Sequence, residues 1–578
     1  MRRLGTLLGL CFLACSTGQA IAPARLPLEA TGTASRVVLV SFDGLGADAL
    51  GRICADCPGF NSIAAGGLRV DRVVPVTPSA TTSAHVAILT GADPNVTGIV
   101  GNRFHLPGTP WTQVAEGFVI PIDAETIVEV ARRNGKRVGS IAFPTVDARS
   151  PRRTADFYLQ YVQPVARARM VRLSRSDFRP TWTPPGWTSQ KSCPSFSPVM
   201  RARIDWSIPD LTRQDVDIVA CDTTDDQRSN YDAVFISTQE SEVQPDARGW
   251  FALAKRHDGA LYGSWSKVLR IDPALDSVTI YMGAIACNTA EPAAFREMVD
   301  REAGFWPTSA DEASAAGWLH GGDGIDANTF AEQTERFGEF LTRVTVLATE
   351  RMQFDLLLSY QPMIDQTEHQ FLIENDRQRN ATEANRAAGL QARTRAIAAA
   401  DRAAAAIARS LDFSRDALVV TGDHGVAAVD TELRLPTLLT QLAVAPQWVA
   451  FANGNIGHLY RTGGEDNAAG LRRTLEETGF FERVSLRTPE SHPNNGDIVL
   501  LAKPNVSLTT RAGELTAQPW YYGQHGGLGS TPSFHTLLFA RGAGVPAGRI
   551  GEIRQTDIAP FLASLLGIER AGAIVSAP

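Results

Sequence analysis

Apolar, β-branched runs that end abruptly in charged or glycine-containing turns recur along the chain. Arg36-Val-Val-Leu-Val-Ser-Phe42 runs into Asp43-Gly44, Asp355-Leu-Leu-Leu-Ser-Tyr360 precedes Asp365 and His369, and Asp416-Ala-Leu-Val-Val-Thr421 ends in Gly422-Asp423-His424-Gly425. Short continuous apolar runs bounded by turn residues are the pattern of strands buried on both faces of a parallel sheet. Between them the period changes. Residues 328–351 carry apolar side chains at helical spacing, and Glu383 to Leu411 is an alanine-rich helical stretch leading into the third strand. Helix alternating with strand predicts an α/β fold, a central sheet with helices on both faces.

Two stretches break this rhythm. The catalytic body is expected over 36–145, 325–430 and 515–570, interrupted by a cap insertion at 146–324 and a smaller insertion at 431–514. The first is turn-rich, with a strand over Ser277 to Met282, and carries a run of arginines without lysine that begins at Arg149, Arg152 and Arg153. Those arginines form either a solvated face or a grip on a terminal phosphate oxygen. The second insertion holds an amphipathic helix over Asn467 to Thr478 and His458, read as a loop histidine.

The chemistry gathers at the strand ends. Asp43, Asp365, His369, Asp423, His424 and His525 offer carboxylates and imidazoles, a mixture that suits a borderline cation such as Zn²⁺, and six ligands serve two metals. Asp365 and His369 are expected in the loop after their strand. In open α/β sheets that edge is where ligands bind. Thr77 to His85 reads as a loop entering a short helix closed by Gly91, so a hydroxyl at the helix start lies among backbone N–H groups that favour phosphate. Thr81, Thr82 and Ser83 compete for that place, and each could serve only as an N-cap. Asn102, after Gly101, is either a turn residue or an amide donor to a phosphoryl oxygen.

In their order, Asp43, the Thr81 helix start, Gly101-Asn102, Asp365-x-x-x-His369, Asp423-His424-Gly425 and His525-Gly526 resemble the alkaline phosphatase superfamily, above all its nucleotide pyrophosphatase/phosphodiesterase branch. Thr556-Asp557 and Leu565-Leu566-Gly567 resemble its C-terminal helix, so the likeness spans residues 36 to 568. It implies two zinc ions, one held by Asp365, His369 and His525, the other by Asp43, Asp423 and His424, with Thr81 as nucleophile touching the second. One position departs from the branch: the residue after the nucleophile is usually Phe, which helps sandwich a nucleoside, and here it is Thr82.

The expected function is therefore two-zinc hydrolysis of phosphodiester or pyrophosphate bonds in a small phosphorylated substrate, through a covalent threonyl intermediate that water resolves. A phosphomonoesterase is the alternative, since Thr82 removes the nucleoside platform and the cap arginines could meet the extra charge. More remote are an inactive metal-stabilised binding protein and a metal-dependent mutase.

Composition and termini refine the picture. The 578 residues suit about two to four domain-sized units. A net charge of −7 argues against a stable nucleic-acid partner. Met1-Arg-Arg and the apolar stretch from Leu4 to Ala14 read as a secretory leader over 1–22, with Ala20-Ile21-Ala22 as cleavage site and a lipoprotein signal at Cys15 as the alternative. The stretch is too short to span a bilayer, which takes about 20 residues. A secreted or periplasmic protein follows, in which Cys54-Ala-Asp-Cys57 closes a local disulfide and two of Cys193, Cys221 and Cys287 could pair.

Overall fold

The computed structural model describes residues 28–568 apart from 55, 148, 150–151, 182–194, 212, 239–241 and 465–466. The expected leader and Cys193 lie outside the described residues.

Among the described residues the three apolar runs become the centre of a 10-stranded mixed sheet. Strand Arg36–Phe42 lies between Leu356–Gln361 and Asp416–Gly422 and is parallel to both. Val138–Ile141 and then Phe157–Leu159 continue the parallel half outward. On the other side Thr536–Gly542 runs antiparallel to Asp416–Gly422 and to Leu68–Val74. Every residue from Val37 to Phe42 is buried, whichever way its side chain points, so both faces of the sheet are covered. The long helices Ala327–Arg351 and Glu383–Arg409 pack against each other, the second also against Pro58–Ala65. Ile558–Leu566 packs on Thr81–Thr90, Ile127–Arg133 and strand Arg36–Phe42. Asp326 and Thr382 cap the two long helices by accepting from the N3 backbone N–H.

The first excursion leaves from and returns to the central sheet. Phe157–Leu159 and Ala290–Glu291 pair with each other at the edge of the central sheet, and Phe295, Met298 and Val299 of helix Ala293–Glu302 pack into the main core. Between them lie two antiparallel sheets with their own apolar core, including Met200, Ile218, Phe251 and Ile280. The second excursion contains a four-stranded sheet and two strands of a three-stranded one around Leu459, Leu475 and Leu500, with helix Ala468–Glu477 packed on strand Phe481–Leu486.

His458 is not in a loop. It lies buried in strand Ile456–Arg461, where its Nε2 bonds the Val100 carbonyl at 3.1 Å and its Nδ1 accepts from the Gly496 N–H at 3.2 Å. The second insertion thereby braces the segment that carries Gly101 and Asn102. Burial pushes the imidazole down to about 4 from an ordinary value near 6.5. Between those values the unfolded chain takes up a proton that the folded chain refuses, so this contribution to stability falls as pH falls through the window. Urea midpoints should drop on acidification from pH 6.5 towards 4. His458→Gln should lessen that slope without removing it, since His85 and His525 are also pushed down to about 4, chiefly by burial.

Candidate metal centre and active site

Register brings the candidate ligands to one level. Phe42 lies opposite Gln361 on one side and Gly422 on the other, so Asp43, the turn at Pro362 and Asp423 leave the sheet together at the same edge. Asp365 and His369 are not in a loop as expected. They sit on helix Met363–Phe371, where four-residue spacing puts both on one face, with His369 Nε2 3.4 Å from Asp365 Oδ2. A glycine is required beside them: Gly44 has φ +74°, and a Cβ there would fall 2.7 Å from the Asp365 Cα. The Asp365 N–H closes this contact by donating to the Asp43 carbonyl at 3.0 Å. The short strand Gly523–Gln524 pairs with Ala427–Ala428 and delivers His525 beside His424, their rings stacked with centroids 3.7 Å apart.

The imidazoles are oriented through their backs. His369 Nδ1 bonds the Gly523 carbonyl at 2.7 Å and His525 Nδ1 the Ser79 carbonyl at 3.3 Å, which turns each Nε2 towards Asp365. His424 Nε2 lies 3.4 Å from Asp43 Oδ1 and 3.1 Å from Asp423 Oδ2. Two groups able to enclose a cation result, Asp365 with His369 and His525, and Asp43 with Asp365 and His424. Asp365 belongs to both. Asp423 adjoins the second group through His424, and its other oxygen accepts from the Gly44 and His424 N–H groups.

Three buried carboxylate oxygens here, Asp43 Oδ1, Asp365 Oδ1 and Asp423 Oδ2, have no hydrogen-bond partner. Such acceptors are costly unless something positive meets them. The electrostatics agree. Burial, then the charges of Asp423 and Asp365, pushes Asp43 well above the usual carboxylate range, and burial with Asp365 lifts Asp423 to about 8. Burial also opposes the Asp365 charge, but His369, His525 and His424 outweigh it and hold that carboxyl low. His369 rises in turn to about 9, Asp365 overcoming the burial that would lower it. Three carboxylates cannot all ionise this close together without cations between them, and the donor set of oxygen and imidazole fits divalent metals.

Thr81 is the first residue of helix Thr81–Thr90, which ends at Gly91 in the left-handed region. Its Oγ1 lies 3.3 Å from His424 Nε2. Thr82 and Ser83 face elsewhere: the Thr82 hydroxyl is buried against the Gly101 carbonyl and Asn102 Oδ1, both at 2.9 Å, and Ser83 donates to the Ile99 carbonyl at 2.9 Å. Asn102 Oδ1 also accepts the Thr82 N–H at 2.9 Å, which leaves its amino end for the cavity. Position 82 is sealed beneath the segment at Gly117, and Phe118 of that segment reaches the cavity instead.

Several supporting residues have no place in the sequence reading. Tyr360, the residue before the strand's last, donates its hydroxyl to Asp43 Oδ2. His85, fully buried one helical turn after Thr81, bonds the Thr81 carbonyl through Nδ1 at 2.8 Å and the Ser41 hydroxyl through Nε2 at 2.9 Å, with Asp423 Oδ2 3.4 Å away. The four-residue spacing of Thr81 and His85 is the one local signal that could have found it.

A cavity of about 690 Å³ opens over this cluster, reaching Asp43, Thr81, Asn102, Asp365, His369 and His525. Of the three cap arginines only Arg149 lines it, and Arg149 is paired with Asp147. Arg152 instead meets Glu129 at 2.7 Å with most of its side chain exposed. Arg153 is buried and binds the Thr145 and Ile120 carbonyls at 2.8 and 3.1 Å, so it braces the cavity wall from behind. Adjacency in sequence to Arg149 says nothing of direction in a turn.

Sheet and cluster together define a phosphoric ester hydrolase with the alkaline phosphatase architecture. The family model for type I phosphodiesterase/nucleotide pyrophosphatase matches residues 37–528, and the chain belongs to that family, whose members depend on metal ions. Similar solved structures include an inactive murine ectonucleotide pyrophosphatase/phosphodiesterase 5 in complex with AMP, at 12% identity and TM-score 0.49 over 93% of this chain and 96% of that one. The human enzyme of the same name is similar at 12% identity and TM-score 0.48, covering 93% and 96%. A phosphonoacetate hydrolase from Sinorhizobium meliloti, in complex with phosphonoformate, is similar at 15% identity and TM-score 0.47, covering 94% and 99%. No curated protein sequence matches the chain. No helix among the described residues is long and apolar enough to cross a membrane.

Proposed function

We propose that the protein is an extracytoplasmic two-zinc phosphodiesterase in which Thr81 is the nucleophile. The observation that carries this reading is the Thr81 hydroxyl at a helix N-terminus, 3.3 Å from His424 Nε2 and beside carboxylate oxygens that lack donors. Asp365, His369 and His525 would hold one zinc, and Asp43, Asp423 and His424 the other. When bound, the pair lowers the pKa of the attacking hydroxyl and offsets charge on the phosphoryl oxygens.

The chain's own residues do the rest. His85 and the helix start fix the Thr81 backbone, so that Oγ1 faces the cluster. The Asn102 amide, held by Thr82, presents its donor end to a non-bridging phosphoryl oxygen. Attack forms the Thr81 Oγ–P bond as the bond to the leaving alcohol breaks. Water then cleaves the threonyl ester and restores Thr81.

Charge in the cavity favours diesters over monoesters. Arg149, the cap arginine that lines it, is already neutralised by Asp147, so little cationic excess is left for a dianionic monoester. Disulfides support a place outside the cytoplasm: Cys54 is bonded to Cys57, as expected, and Cys221 is disulfide-bonded, while Cys287 is free. We place the catalytic domain over 23–578, with the cap and the smaller insertion as parts of it.

The test compares kcat/KM of the zinc-loaded protein for bis-p-nitrophenyl phosphate, thymidine 5′-p-nitrophenyl phosphate and p-nitrophenyl phosphate. A diester should lead, and a leading monoester would replace this reading by the phosphomonoesterase. Arg149→Met leaves Asp147 on the cavity wall without its partner, and that added negative charge should lower monoester kcat/KM by about tenfold, roughly 1.4 kcal/mol, with a smaller change for diesters. Arg152→Met should change neither, and Arg153→Met should lower the thermal midpoint. Unchanged kinetics in Arg149→Met would remove that residue from substrate recognition.

A further inference from the structure

The hydroxyls that line the cavity differ in what meets them. Those of Thr81, Tyr161, Tyr360 and Tyr521 have His424, Gln366, Asp43 and Glu312 as partners. Thr145 is different. It lines the same cavity from the turn after strand Val138–Ile141, yet its Oγ1 is buried and has no hydrogen-bond partner. A buried hydroxyl left unpaired is costly, and an oxygen on a ligand removes that cost.

The backbone is costly at the same point. Thr145 has φ +67°, in the left-handed region that a β-branched side chain disfavours, and Ala142 at the start of the turn has φ +54°. Two braces hold the turn there: Arg153 Nε donates to the Thr145 carbonyl at 2.8 Å, and the Ser140 hydroxyl donates to the Val146 carbonyl at 3.1 Å. Residues kept in such conformations by their surroundings cluster where a ligand is gripped.

The position of Thr145 indicates which part of a substrate it meets. Arg153 also donates to the Ile120 carbonyl at 3.1 Å, which ties the turn to the segment running back through Phe118 to Gly117, whose N–H donates to the Asn102 carbonyl at 2.9 Å. Thr145 and Asn102 therefore belong to one wall of the cavity. An in-line displacement puts the leaving oxygen opposite Thr81 and the other substituents of phosphorus to the side, where Asn102 presents its amide. One of those substituents is the organic group that stays on phosphorus.

We propose that Thr145 is a specificity-determining residue whose hydroxyl donates to an oxygen of this retained group, so that the preferred substrates are phosphodiesters whose retained group carries a hydroxyl or ether oxygen rather than a plain alkyl chain. This rests on the hydrolase reading above. The P–O bond to the leaving alcohol breaks, the P–O bond to the retained group persists, and the product is the monoester of that group. An alkyl chain in its place leaves the Thr145 hydroxyl unpaired in the complex, and a site built to bond an oxygen discriminates strongly against a substrate that lacks it.

The test uses 2-methoxyethyl p-nitrophenyl phosphate and butyl p-nitrophenyl phosphate with the zinc-loaded protein. The two share a size and a leaving group, and the ether oxygen accepts a hydrogen bond without being able to displace p-nitrophenolate itself. Wild type should favour the ether substrate by about tenfold or more in kcat/KM, and in Thr145→Val, which keeps the shape, the ratio should fall to within roughly twofold of one. Thr145→Ser should keep most of the preference. The thermal midpoint of Thr145→Val should lie at or above that of wild type, since only an unpaired hydroxyl is lost. Should Thr145→Val fail to fold, Thr145→Ala replaces it with the same ratio expected, because Ala142 shows that this turn carries alanine at positive φ. Calorimetry gives a second reading with 2-methoxyethyl phosphate against butyl phosphate, where the preference should appear in wild type and vanish in the variant. An equal ratio in wild type and Thr145→Val would overturn the assignment, and so would a lower midpoint in that variant, which would make the hydroxyl a structural bond. Preferential binding of 2-methoxyethyl phosphate by a protein that hydrolyses no diester would sink the hydrolase reading and keep the contact.

Discussion

Thr81→Ala should abolish turnover, with kcat on bis-p-nitrophenyl phosphate falling by about 10³-fold or more, while zinc content stays at the wild-type level. The loss is large because no other hydroxyl can substitute. Thr82 is buried against Gly101 and Asn102, and Ser83 is turned to the Ile99 carbonyl, so neither points at the cluster. The metal is expected to remain because the six proposed ligands are untouched. Thr82→Ala should be milder, since it removes a hydroxyl that helps hold Asn102 while the Thr82 N–H still donates to Asn102 Oδ1. Stopped turnover together with lost zinc in Thr81→Ala would recast Thr81 as a structural part of the metal centre. Full activity in that variant would remove it from the chemistry.

Asp365→Ala should cost more metal than any other single ligand replacement. Asp365 is the residue shared by both candidate cation groups, and its Oδ1 and Oδ2 face His525 and His369 at 3.7 and 3.4 Å. Removing it takes a ligand from the first group and a bridging charge from the second, so elemental analysis should show less than one zinc per chain, where Asp423→Ala keeps more. Activity should fall by orders of magnitude in both. The Asp365 protein also loses the charge that raises His369, so His369 should titrate lower in the metal-free variant. Two full zinc equivalents in Asp365→Ala would contradict the proposed ligand set.

Much of this was legible in the sequence because it is written in local pattern. Apolar runs ending in Asp43 and Asp423 are strand ends of a doubly covered sheet, and their register makes those residues level. Asp365 and His369 read as loop residues because the apolar strand stops before them, but a helix starts directly after Pro362, its N-cap, and puts both on one face. Tyr360 and His458 were harder for a different reason. Their roles depend on where a side chain arrives from a distant segment: Tyr360 on Asp43, His458 on Val100. The arginines show the converse, since neighbours in sequence part company in space, Arg149 to the cavity, Arg152 to Glu129 and Arg153 behind the wall.

The central claim is a covalent bond between substrate phosphorus and Thr81. Acid quenching of the zinc-loaded protein during turnover of bis-p-nitrophenyl phosphate, followed by proteolysis and mass spectrometry, reads it directly. The account predicts a p-nitrophenylphosphoryl group on Thr81 and no such adduct in Thr81→Ala. An adduct on Thr82, Ser83 or a residue outside the helix start, or turnover with no adduct and no burst of p-nitrophenolate, would contradict it.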